Sequence, residues 1–127
     1  MDIRGFVAVI AAEPFTWGKT DCGSIADRWI ATKTGISPLD AYGRRHHDES
    51  EGKAWLAEPG SVAVAVNRVM RANGFTRTKT PQAGDLGLVL YDGRMCIALH
   101  AGDYWFSRHE DGLIAAPLGN FWKAWTV

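Results

Sequence analysis

Residues 14–35 read PFTWGKTDCGSIADRWIATKTG, and the rest of the chain is organised around this run. Pro14 interrupts whatever precedes it, Trp17-Gly18 reads as loop, and Thr20 or Asp21 supplies an N-cap. The spacing predicts a helix over about residues 22–34, with Ile25, Ala26, Trp29 and Ile30 as its inward stripe and Gly35 as its stop. Cys22 falls in the first turn, on the face of the apolar stripe. Unpaired backbone N–H groups and the positive end of the helix dipole favour a thiolate there. A buried cysteine is also an ordinary small hydrophobe, so the position alone does not assign chemistry.

With 127 residues the chain has room for one core, and the expected organisation is a single domain over 1–127. Fourteen basic and fourteen acidic residues cancel, which argues against nucleic acid or an anionic membrane surface as partner. A hydrophobic content of 46% with six tryptophans marks a globular core. The first residues, MDIRGFVAVIAAEP, hold a short apolar run preceded by Asp2, which matches neither a signal peptide nor a span of about 20 residues, so no membrane insertion is expected. Two cysteines are too few for a disulfide scaffold, and no Cys/His spacing suits zinc. No metal and no cofactor are expected; Gly84-Asp85-Leu86-Gly87 lacks the spacing of a phosphate loop.

Upstream, Ile3, Phe6, Val7 and Ile10 predict a helix over 2–12 that ends at Glu13-Pro14. Downstream, residues 36–52 are polar and aperiodic and read as a long surface loop, with His46 and His47 in a solvated turn. A helical turn over 53–57 should carry Trp55 and Leu56 inward before Pro59-Gly60. Ser61 then caps a helix whose stripe is Val62, Val66, Val69 and Met70, stopped by Asn73-Gly74. From Pro81 onward strands take over: 86–91, 94–101, 104–108, 113–117 and a closing 122–127, with hairpin turns at Asp92-Gly93 and Gly102-Asp103. Helices first and an antiparallel meander second is the α+β pattern.

Trp-Gly-x-x-Asp-Cys followed by the Ala-Asp-Arg-Trp helix, together with Pro-x-x-Gly-Asp-Leu at 81–86, resembles the NlpC-type branch of the papain-like cysteine peptidases. Within it the chain is most similar to a small phage-tail-associated subgroup. The resemblance covers most of residues 14–117 and implies a papain-like fold, Cys22 as nucleophile of a peptidoglycan amide hydrolase, a histidine on the facing strand, and backbone N–H groups at the helix start holding the oxyanion. If Gly102 is the turn that closes the second strand, Cys96 stands where that histidine belongs. The two cysteines are then expected to be near neighbours. In a second register the histidine is His100. The third polar group falls on the strand carrying Ser107, and His109 reads as a surface turn residue.

Gly102-Asp103 keeps strand lengths ordinary in the first register, which is therefore preferred and leaves the Cys/His site degenerate. The expected function is a tail-tip protein, made in the bacterial cytoplasm and carried in the virion tail, which acts in tail assembly or envelope contact with other tail proteins and peptidoglycan as partners. The alternative is an active peptidoglycan endopeptidase or amidase using Cys22. A third reading is an aromatic groove of Trp17, Tyr104 and Trp105 for glycan or peptide.

Overall fold

Apolar residues spaced three and four apart build α1 (Ile3–Ala12), which buries Ile3, Phe6, Val7 and Ile10 and is capped by Asp2 through its contact with the Gly5 amide. The computed structural model describes residues 1–57 and 61–127, apart from the side chains of Leu56 and Ser61. Helix α2 (Cys22–Thr34) begins at Cys22, takes Asp21 rather than Thr20 as its N-cap, and stops at Gly35, whose φ of 78° is the left-handed conformation that glycine adopts at no steric cost. Arg28 donates from both terminal nitrogens to the Glu13 carboxylate, at 3.0 and 3.2 Å, and ties the end of α1 to α2. Thr20, wholly buried, accepts from the Thr16 amide at 2.6 Å and donates to the Pro14 carbonyl at 2.9 Å, closing the loop before α2.

The expected loop over 36–52 is instead two short helices, α3 (Pro38–Tyr42) and α4 (Glu49–Leu56). They are too short to show a period in the sequence, and their signatures are caps: Ser37 before Pro38, and Asp48, which accepts from the Glu51 amide at 2.8 Å. Trp55 points inward as expected, while the inward side chain expected of Leu56, the stop at Pro59-Gly60 and the Ser61 cap lie outside the described residues. Helix α5 (Ser61–Ala72) buries Val62, Val66, Val69 and Met70. Among the described residues no helix is long and apolar enough to cross a membrane.

The second half forms one five-stranded antiparallel sheet in the order β4-β3-β2-β1-β5, from β1 (Leu86–Tyr91), β2 (Arg94–His100), β3 (Trp105–His109), β4 (Gly112–Ala116) and β5 (Phe121–Trp125). The first hairpin turns on Asp92 and Gly93, both at positive φ (51° and 74°), as a two-residue loop requires. Alternation gives the sheet two buried faces. Leu86, Leu88, Ile97, Leu99 and Phe106 meet the helices, chiefly Ile25, Trp29 and Ile30. Val89, Cys96, Ala98, Trp105, Ile114, Ala116 and Ala124 form a second cluster, drawn from all five strands. This is an α+β protein with its helices on one face of the sheet.

Trp105 sits at the centre of the second cluster, fully buried, with Nε1 donating to the Leu118 carbonyl at 2.9 Å. The expected aromatic groove therefore loses one wall: Trp105 is not available to a ligand. Gly87 leaves room for that ring, since a Cβ there would lie 2.6 Å from Trp105 Cζ3. Gly87→Ala should accordingly destabilise the fold by about 1–3 kcal/mol through overpacking, read as a lower urea midpoint at unchanged slope.

Candidate functional site at the head of the second helix

Cys22 is the first residue of α2, half-buried against the sheet, and the local anion is not its own sulfur but the Asp21 carboxylate beside it. Asp21 Oδ1 accepts from the Gly18 amide at 2.7 Å and the Ser24 hydroxyl at 2.8 Å, while Oδ2 accepts from the Ser24 amide at 3.3 Å and faces His46 Nε2 at 2.7 Å. Burial and then the Asp21 charge push the Cys22 thiol from 9.0 up to about 12, against a smaller downward pull from the Ile97 backbone amide. A helix start favours an anion by only about 0.3–1 kcal/mol, less than the ~1.4 kcal/mol of a single pKa unit, so desolvation wins. The expected thiolate is corrected to a thiol.

The Ile97 amide is near Cys22 because β2 and β3 part company. They pair at Leu99–Phe106 and His100–Trp105, and beyond that the Ser107 hydroxyl takes the Ile97 carbonyl at 2.7 Å. Ser107 thus serves the backbone rather than orienting an imidazole. The opening between the strands forms part of a cleft of about 290 Å³ lined by residues that include both Cys22 and Cys96. Both thiols are free. The Cys96 side chain packs into the second cluster, on the face opposite to Ile97, with Sγ 3.9 Å from the Arg94 carbonyl oxygen, yet it lines the cleft with Cys22 and adds to the upward push on that thiol, so the two cysteines are neighbours as expected. His100 lies four residues beyond Cys96, about 13 Å at strand rise, on that same opposite face. Its Nδ1 accepts from the Gly102 amide at 3.1 Å, and its ring stands edge-on to Trp105, centroids 5.1 Å apart. The structure does not bring His100 to Cys22, and the second register is corrected on that ground.

The histidine that does reach the cleft is His46, expected in a solvated turn and found 5% exposed. Its ring stacks on Trp55 with centroids 6.3 Å apart, and its hydrogen bond to Asp21 raises its pKa, while Asp21 is held below the usual carboxylate range chiefly by that same bond and the Ser24 hydroxyl, against desolvation. The neighbouring Arg45 reaches the buried Asp27 at 2.9 Å, so two acids of the α2 segment anchor consecutive residues of the 43–48 connection. His47, by contrast, is the exposed partner of Glu51 at 3.2 Å. Gly52 makes the close packing feasible: a Cβ there would lie 3.0 Å from Trp17 Cε3 and 3.3 Å from His46 Cδ2.

His109 also differs from expectation, since it ends β3 and lines the cleft rather than sitting in a free turn. Beside it Arg108 is 9% exposed, donates to the Ile10 carbonyl at 2.9 Å, and lies over the Phe15 ring at 5.9 Å. His46 Nε2 is engaged with Asp21 and its Nδ1 has no hydrogen-bond partner among the described residues, sulfur included. The arrangement therefore lacks the thiol–imidazole bond through which a cysteine nucleophile loses its proton. No group of three or more His, Cys, Asp or Glu among the described residues is placed to hold a metal ion.

No curated protein matches the chain, and no solved structure does. A family model does, over residues 2–127, and the chain belongs to that family, described as Domain of unknown function (DUF6950).

Proposed function

We propose that this protein is a phage tail-tip component with a papain-like, NlpC-type fold whose Cys/His site no longer cuts amide bonds, and that it works in tail assembly or in contact with the cell envelope. A cysteine at the head of a helix, packed on an antiparallel sheet that opens after Gly-Asp-Leu, supports the fold reading. The observation that carries the loss of activity is the state of Cys22: a half-buried thiol, raised to about 12, with no imidazole hydrogen-bonded to it among the described residues. Other tail proteins and peptidoglycan are the proposed contacts and the virion tail the proposed location.

The test is the rate of iodoacetamide alkylation of Cys22 against pH, in a Cys96→Ser background. The rate should stay low through pH 9 and keep climbing without a plateau toward about pH 12. Purified peptidoglycan incubated with the protein should release no new amino groups, and mass spectrometry of purified virions should find the chain in the particle. Its absence there would end the tail assignment. The second reading, a peptidoglycan hydrolase, is favoured by one observation: Asp21 and His46 line the same cleft as Cys22. In that case His46, oriented by Asp21, is the base. A Cys22 reactivity that already plateaus near pH 6 and vanishes in His46→Asn would establish it in place of the first.

A further inference from the structure

Three side-chain nitrogens are buried without a hydrogen-bond partner among the described residues: His46 Nδ1, Trp55 Nε1 and Arg108 Nε. All three side chains line the Cys22 cleft, although they come from the connection before α4, from α4 itself and from β3. Buried polar groups in folded proteins are nearly always paired, and an orphan calls for a partner from outside the fold. Indole and guanidinium N–H groups only donate, and His46, whose Nε2 faces Asp21 at 2.7 Å, donates from Nδ1 as well when its ring is protonated. What the cleft lacks is an acceptor.

Charge points the same way. Arg94 and Arg108 line the cleft against Glu110, while Lys53 is paired with Glu49 at 2.8 Å and Asp21 is already occupied by Gly18, Ser24 and His46. Phe15, Trp17 and Met95 supply an apolar wall. We propose that the cleft binds a carboxylate carried on an apolar body, with His46, Trp55 and Arg108 donating to its oxygens. A free aryl acid and the C-terminal residue of a peptide offer the same chemistry. At about 290 Å³ the space is at the small end of ligand pockets and suits one side chain with its carboxylate rather than a long chain. The assignment stands whether or not Cys22 hydrolyses anything.

The test is a titration of the ¹⁵N-labelled full chain with 3-phenylpropionate and with N-acetyl-alanyl-phenylalanine, each set against its own carboxamide. The Trp55 indole and Arg108 Nε–H resonances should shift saturably with the acids, and the amides should bind at least about tenfold more weakly, because charge-assisted hydrogen bonds are lost. Saturation by both acids identifies a site for free acids, and saturation by the dipeptide alone identifies a chain terminus. Arg108→Lys keeps the charge but moves the donor, and should weaken acid binding about tenfold. If that variant does not fold, the comparison of acid with amide on the native chain decides. Equal binding of acid and amide, or no saturable shift up to about 20 mM, well below the affinity of specific recognition, would overturn the proposal.

Discussion

Replacing Trp29 by alanine is expected to cost about 3–5 kcal/mol, the range for deleting a buried aromatic, and so to remove a large part of the stability of a chain this size. Trp29 is 1% exposed and touches three parts of the molecule at once. Its ring meets Phe6 of α1 with centroids 5.3 Å apart, its Nε1 donates to the Gly84 carbonyl at 2.7 Å, and a Cβ on Gly84 would stand 3.3 Å from its Cζ2. The Gly-Asp-Leu opening of the sheet is thus also the seat of the α2 tryptophan. Trp29→Phe keeps most of the apolar volume but orphans the Gly84 carbonyl, and should cost less, about 1–3 kcal/mol. Urea midpoints at constant slope measure both, and a Trp29→Ala loss below about 1 kcal/mol would show that α2 is not held by this residue.

Asp21→Asn should be of similar size, about 3–5 kcal/mol, because removing one member of a buried charged pair leaves the other unpaired. The side chains of Asp21 and His46 are 7% and 5% exposed, and Asp21 also caps α2. The same change removes a charge that raises the Cys22 thiol, so Cys22 alkylation should quicken at pH 8–9 even as the fold weakens. The pH dependence follows from the two shifts. Asp21 is lowered from 3.8, so its contribution is present above that value and fades as pH falls through its still lower folded pKa. His46 is raised from 6.5, so its contribution is full below that value and fades as pH rises through its higher folded pKa. The pair therefore stabilises most between about pH 3.8 and 6.5, and Asp21→Asn should flatten the stability profile on both sides of that window.

These expectations rest on parts of the molecule that were unequally legible in the sequence. The ends of α2 could be read because capping is local: Asp21 acts on an amide three residues away, and Gly35 relieves its own backbone. The strands could be placed to within two residues because Asp92-Gly93 and the alternation of apolar residues specify turn and face within a few positions. The short helices α3 and α4 were missed since five and eight residues carry no readable period, although their Ser37-Pro38 and Asp48 caps were there to be seen.

What depends on distance in the chain was not legible. Whether a histidine in a polar run is solvated or buried is decided by Asp21, 25 residues upstream, by the Trp55 ring, and by the missing side chain of Gly52. The same holds for the three nitrogens unpaired among the described residues, whose side chains line one cleft only once α4 and β3 are folded beside it. The sequence by itself determined the helices with long apolar stripes, the strands and the position of Cys22 at a helix start, since backbone hydrogen bonding and side-chain period act over a turn or a hairpin. Only the tertiary structure decided that Cys22 is a thiol, that Cys96 and His100 belong to the other face of the sheet and that His46 lines the cleft, because desolvation and charge pairing are properties of what surrounds a group in space.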